Sequence, residues 1–268
     1  MRRVIDTASP RLLASVEGAV ATVAIHAPER RNCIDLAAWR AFPPLFATLD
    51  RDPDVRVVIL RGSGDAAFSA GADIAEFDTV RATAGGSSAY EAENVRAFEA
   101  VAGIGKPVLA LIHGFCFGAG VGLAAACDLR IASDDAVFAV PAARLGVGYP
   151  PQALKSLVAL AGVEAVKRLF FAAGRLDARQ AASLGLVGEV AAKHALDGAV
   201  RTLAAEIAAG APLTILAAKR GIDAAAGLTR ALEPEALQAL ADACFASADY
   251  AEGRAAFKEK RKPAFIGR

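Results

Sequence analysis

The chain has 268 residues, a formal net charge of +1, and 22% charged residues. That length supports a large core, as one big domain or one domain with an appendage. Near-neutral charge, with no basic stripe except near the C-terminus, argues against a nucleic-acid surface. Four cysteines, at 33, 116, 127 and 244, form no C-x-x-C pair, and the three histidines, His26, His113 and His194, do not cluster with them. No metal site or disulfide framework is expected, and a reducing compartment is the plain reading. The N-terminal "MRRVIDTASPRLL" lacks the apolar core of a signal peptide, and Asp6 and Pro10 weaken an import reading of its arginines. No apolar run approaches bilayer length. The expectation is a cytoplasmic protein with neither membrane nor nucleic acid as partner.

In chain order, "VATVAIHA" (20–27) reads as a β-branched strand. Residues 35–50 have helical spacing, with Asp35 as N-cap and the Pro43-Pro44 pair as a possible kink. "VRVVILRG" (55–62) is a second strand, and 87–104 a second amphipathic helix after the Gly85-Gly86 break. "KPVLALIHG" (106–114) is a buried strand, 127–133 and 136–140 are two short ones, and 186–191 is a strand within a region of helical period. From about 197 the chain reads as helix after helix, broken at Gly210-Ala211-Pro212, Gly227 and Pro234. The division drawn is an α/β core over 1–196 and a helical region over 197–268. No tandem repeat is visible, only a recurring strand–strand–helix texture.

Two glycine-containing loops each leave a strand and enter a helix. "RGSGDAAFSAGADIAEF" spans 61–77, and "HGFCFGAGVGLAAACD" spans 113–128. Glycine-rich backbone at a helix start presents free N–H groups to an anion. The second loop misses the dinucleotide fingerprint because its third position is Leu123, and no Gly-Lys-Ser/Thr follows to make a P-loop. A G-x-S-x-G elbow is absent. Two such loops converging on one oxygen would form an oxyanion hole; taken singly, each is a tight turn that needs small residues.

Taken together the segments resemble the crotonase superfamily, the enoyl-CoA hydratase and isomerase group. "AFSAGADI" (67–74) and "VLALIHGFCFGAGVGLAAACDLRIAS" (108–133) resemble its two signatures. "PERRNCID" (28–35), "FAVPAARLGVGY" (138–149), "GRLDARQAASLGLVGEV" (174–190) and "EGRAAFKEKRKPAF" (252–265) match its other landmarks in order. The resemblance implies a spiral of strand–strand–helix units with a C-terminal region that assembles a homotrimer, or a hexamer as a dimer of trimers. It implies an acyl-CoA thioester as ligand, with coenzyme A entering as part of the substrate and no separate cofactor. The shared chemistry is an enolate held by two backbone N–H groups, which fall here on Ala72 and Ala119. Arg30, Ala70, Asp73 and Ile74 match positions along the CoA moiety, and Phe257 and Lys260 match the C-terminal helix that can reach a neighbour's CoA.

Hydratases of the group use two glutamates, and the matching positions are Gly122 and Ala142. Each missing acid–base group is worth about 10²–10⁴-fold, so ordinary hydration is not expected. Tyr149 lies where the methylmalonyl-CoA decarboxylase branch carries a tyrosine, and Arg144 is a candidate partner for a substrate carboxylate. That branch has histidine at the position of Ala72. The open readings are a CoA-thioester lyase or isomerase working through an enolate, a decarboxylase using Tyr149, and an acyl-CoA-binding protein without catalysis.

Overall fold

A computed structural model describes residues 2–228 and 232–268. The chain opens with a hairpin, β1 (Arg2–Ile5) and β2 (Leu12–Glu17), and continues antiparallel into β3 (Val20–Ile25). Helix α1 (Leu36–Arg51) follows, with the Asp35 carboxylate accepting from the Ala38 N–H at 2.8 Å. It runs as one helix through Pro43 and Pro44. An interior proline costs about 3 kcal/mol, but α1 buries Trp39, Phe42, Leu45, Phe46 and Leu49. Burial of side chains of this size stabilises by roughly 1.5–3 kcal/mol each, so the helix persists across both.

Three strand–strand–helix passages then wind around the core. The first is β4 (Val57–Gly62), β5 (Ala67–Ser69) and α2 (Ala84–Gly103); the second is β6 (Val108–Ile112), β7 (Phe115–Phe117) and α3 (Ala119–Ala125). The third is β8 (Leu129–Ser133) and β9 (Val137–Ala139), leading to α4 (Ala142–Leu145), α5 (Pro151–Ala161) and α6 (Val163–Phe171). After these come β10 (Arg175–Asp177), α7 (Ala178–Ser183) and β11 (Glu189–Ala191). The first strand of each passage enters a seven-stranded sheet of order β1-β2-β3-β4-β6-β8-β11, parallel from β3 onward. The second strand enters a four-stranded sheet of order β10-β9-β7-β5, parallel except at β10. The architecture is therefore an α/β spiral.

Helix α2 begins before the Gly85-Gly86 pair that was expected to precede it. The Thr83 hydroxyl caps it by accepting from the Gly86 N–H at 3.0 Å. A Cβ on Gly86 would lie 2.4 Å from the Val80 carbonyl oxygen, so glycine serves close packing in the first turn and does not break the helix.

The last helices are α8 (Leu196–Ala208), α9 (Pro212–Ala225), α10 (Pro234–Phe245) and α11 (Ala248–Glu259). Helix α8 covers one face of the larger sheet, with Leu196, Val200 and Ala204 packed on Val57, Ile59, Leu109, Leu111 and Ile131. Helix α9 is tied to the core by the buried Lys219 ammonium, which donates to Asp128 Oδ2 at 2.8 Å and to the Lys106 carbonyl at 3.0 Å. Among the described residues no single helix is long and apolar enough to cross a membrane, and no cluster of His, Cys, Asp or Glu could hold a metal ion.

Candidate functional site: two loops converging on one point

The glycine loops meet where β5 and β7 end side by side. Gly71 has φ +88°, and a Cβ added there would lie 2.7 Å from the Phe117 oxygen and 3.0 Å from the Ala119 nitrogen. Only glycine permits that approach. The Ala72 segment is fixed from its other edge by Ile34, whose N–H donates to the Gly71 carbonyl at 2.8 Å and whose carbonyl accepts from Asp73 N–H at 2.9 Å. Because Ile34 takes the groups on either side, the Ala72 N–H donates to no acceptor among the described residues.

The second donor arises from a turn that again requires glycine. Gly118 has φ +53° and ψ −123°, and its N–H donates to the Ala139 carbonyl at 2.8 Å. Ala119 is then the first residue of α3, where the N–H has no intrahelical acceptor. A Cβ on Gly120 would lie 2.8 Å from the Ser69 carbonyl, so that glycine keeps α3 against the first loop. The structure thus brings Ala72 and Ala119, both half-buried, to one place on adjoining strand ends.

The Tyr149 hydroxyl closes the other side of the α3 start. It donates to the Gly118 carbonyl at 3.1 Å, and its ring meets Phe170 edge-on at 4.9 Å. Burial pushes its pKa far above that of an ordinary phenol. Gly122 faces this oxygen and the Phe98 ring. Ala142 is the first residue of α4 and is half-buried against the core. Arg144, in the same short helix, is exposed and pairs with no carboxylate among the described residues.

The expected CoA residues divide by environment. Ala70 is half-buried and Ile74 is 69% exposed. Asp73 is buried and committed: Arg30 holds both of its oxygens at 2.5 Å, Arg11 lies 3.7 Å away, and Oδ1 also accepts from the Ala75 N–H. Arg30 nonetheless keeps 38% of its side chain exposed beside the loop. Phe257, 86% exposed, and Lys260, which ends α11 in the left-handed region, lie on the C-terminal helices. Phe257 there shares an apolar groove with Phe245, Tyr250 and Phe265. His113 is a structural histidine: its Nε2 lies 2.5 Å from the Gly64 carbonyl, and burial lowers its pKa. Cys116 and Cys127 are buried thiols, the latter pushed up to about 12 by desolvation.

Part of this site escaped the sequence reading. Phe98 on α2 stands over Gly122, and Glu91 on the same helix forms a 2.6 Å ion pair with Arg81. The one sequence signal was polar residues at i and i+3 on an otherwise apolar helical face.

The family model for enoyl-CoA hydratase/isomerase matches residues 15–268. The chain is 32% identical over 250 residues to a short-chain-enoyl-CoA hydratase of Clostridium acetobutylicum, covering 92% of this chain and 94% of the relative. It is 31% identical to a peroxisomal Δ(3,5)-Δ(2,4)-dienoyl-CoA isomerase of Arabidopsis thaliana, covering 94% of each. Its fold matches the crystal structure of an enoyl-CoA hydratase/carnitine racemase from Magnetospirillum magneticum with a TM-score of 0.90 at 37% identity, over 97% of each chain. A family member from Hyphomonas neptunium gives a TM-score of 0.91 at 35% identity, over 98% of this chain and all of that one. The chain belongs to the enoyl-CoA hydratase/isomerase family and has the crotonase fold.

Proposed function

We propose that the protein binds an acyl-CoA thioester and stabilises its enolate with the Ala72 and Ala119 N–H groups. The observation that carries this reading is the closeness of the two loops, where a Cβ built on Gly71 would stand 3.0 Å from the Ala119 nitrogen, with neither alanine N–H donating to an acceptor among the described residues. Donors aimed where negative charge develops act on the transition state more than on the ground state, and losing one typically costs about 3–4 kcal/mol. The helix start at Ala119 adds partial positive charge to the same point.

The reaction class that fits is proton transfer next to the thioester carbonyl, as in a lyase or isomerase, rather than two-glutamate hydration. Positions 122 and 142 hold no carboxylate, and Tyr149 occupies the space beside Gly122. The Tyr149 hydroxyl in that position favours, as second reading, a decarboxylase in which the phenol orients the departing carboxylate. A non-catalytic acyl-CoA-binding protein would keep the same pocket without turnover. The CoA moiety is assigned to the segment Ala70–Ile74 and to Arg30, with Phe257 and Lys260 meeting the nucleotide of a neighbouring subunit in a trimer. Calorimetry with butyryl-CoA and octanoyl-CoA, run beside a turnover panel of CoA thioesters, tests the reading. Binding with turnover supports it, binding without turnover favours the binding protein, and no binding at millimolar thioester contradicts both.

A further inference from the structure

Enolate chemistry needs a group that removes a proton from the carbon beside the carbonyl. Tyr149 is not placed as that base, because its hydroxyl proton is already donated to the Gly118 carbonyl and burial raises its pKa further. Five carboxylates lie in or near the first loop, and two of them, Asp65 and Asp78, are exposed to solvent, Asp65 beside Lys193. Asp73 is committed to Arg30, Arg11 and Ala75. Glu76 turns to α1, where it accepts from the Leu36 N–H at 2.9 Å. Glu91 is placed differently.

Helix α2 spans the distance between the two halves of the site. At one end the Tyr90 hydroxyl donates at 3.1 Å to the carbonyl of Ile34, the residue that flanks Ala72. Two turns later the Phe98 ring reaches 3.0 Å from the Cβ position of Gly122. Glu91, Asn94 and Phe98 stand at i, i+3 and i+7 and share one helix face, the face whose Phe98 ring meets Gly122. Its carboxylate is fixed on both oxygens. Arg81 Nη2 donates to Oε1 at 2.6 Å and Asn94 Nδ2 donates to Oε2 at 3.0 Å. Arg81 is itself held over the Phe77 and Tyr90 rings, at 4.6 and 4.8 Å from their centroids. Glu91 keeps 24% of its side chain exposed.

Asn94 supplies the second observation. It is 2% exposed, and its Oδ1 has no donor among the described residues. A buried open acceptor is rare and calls for a reason. Ionised Glu91 needs a donor from Asn94, whereas protonated Glu91 needs an acceptor. The amide offers both, exchanged by a half-turn of its terminal group.

We propose that Glu91 is the proton carrier of this site, with Asn94 positioned to hold its ionised form through Nδ2 and its protonated form through Oδ1. This inference rests on the enolate reading above. In the step, the C–H bond beside the thioester carbonyl breaks and its electron pair forms the enolate C=C bond. The carbonyl pair moves to the oxygen between the Ala72 and Ala119 N–H groups, and the proton forms an O–H bond on Glu91. Return of the proton, or of a solvent deuteron after exchange, restores a thioester with no other reagent.

The charged and titratable groups facing Glu91 are Arg81 from the segment before α2 and Tyr149 from the segment before α5. Desolvation raises the Glu91 pKa above the ordinary carboxylate range, against the opposing effects of Arg81 and Asn94. Tyr149 stays neutral throughout. Proton removal therefore strengthens as pH rises through the Glu91 pKa.

The test is deuterium incorporation at C2 of butyryl-CoA in D2O, followed by mass spectrometry, with thioester affinity measured in parallel by calorimetry. In Glu91→Gln, exchange should fall by about 10²–10⁴-fold while affinity is unchanged. The wild-type rate should rise with pH along a single acid limb, and Asn94→Leu should move that limb to higher pH, because the bond it removes is stronger to the charged carboxylate than to the neutral acid. Undiminished exchange in Glu91→Gln, alongside lost exchange in Ala119→Pro, would overturn the role of Glu91 and leave the enolate reading standing. Tight binding without exchange in the wild type would overturn both. If Glu91→Gln fails to fold, a wild-type profile that is flat with pH, or a limb unmoved in Asn94→Leu, still overturns the proposal.

Discussion

A Cβ built on Gly122 would stand 2.6 Å from the Tyr149 hydroxyl oxygen and 3.0 Å from Phe98 Cζ. The phenol and the ring fill the space into which a residue-122 side chain would project. Overpacking of this kind typically costs about 1–3 kcal/mol, against a gain of about 1 kcal/mol for replacing glycine within a helix. Gly122→Ala should therefore lower stability in urea unfolding, and Tyr149→Phe in the same chain should return part of the loss. A Gly122→Ala variant as stable as the parent would show that the turn is loose.

The same contact bears on hydration. Native protein should hydrate crotonyl-CoA barely or not at all, followed by loss of enoyl absorbance. Gly122→Glu with Ala142→Glu should do little better, because the first new carboxylate meets Tyr149. Adding Tyr149→Val should open room and give a modest gain, limited because no neighbouring side chains are packed or hydrogen-bonded to hold the new acids in place. Brisk hydration by the native protein would show that other groups supply acid and base.

Much of this was legible in the sequence, and the reasons differ by element. Strands β3, β4, β6 and β8 are long β-branched or buried runs, so their pattern declares them. Strands β5, β7 and β10 span three residues each, too few for alternation to show. Ala72 and Ala119 were singled out by the family resemblance alone; the structure adds that the glycines before them, Gly71 and Gly118, have positive φ. The Tyr149 contact with Gly122 was not readable, since the two residues lie 27 positions apart and meet only through the packing of α3 against α5. The commitment of Asp73 to Arg30 was hidden for the same reason: it joins the turn before α1 to the first loop.

Asp73 tests that commitment. Asp73→Asn keeps an acceptor for the Ala75 N–H but removes the charge opposite Arg30 and Arg11, which are 38% and 24% exposed. Partial exposure lets water compensate in part, so the loss should be about 1–3 kcal/mol, below that of a fully buried broken pair. Urea unfolding measures it, and an unchanged midpoint would mean that the carboxylate is not needed to hold the first loop.

The C-terminal helices present Phe245 and Phe257 at 66% and 86% exposure, around a groove that also takes Phe265. Contiguous exposed apolar surface of this kind marks an interface. Light scattering should give a trimer or its dimer, and Phe257→Asp should shift the population toward smaller species. A monodisperse monomer in the parent protein would contradict the assembly reading.

The central claim is that Ala72 and Ala119 hold an enolate oxygen, and Ala119→Pro tests it most directly. Proline is tolerated at the first helical position, but Gly118, at φ +53° and ψ −123°, lies outside the extended region usual before proline. The variant removes the Ala119 N–H, and circular dichroism is the first check, since the test is read only in a folded variant. Deuterium exchange at C2 of butyryl-CoA should then fall by about 10²–10³-fold relative to the parent, the usual effect of one lost oxyanion donor. Undiminished exchange in the folded variant would show that the glycine-rich loop does not bind the oxyanion.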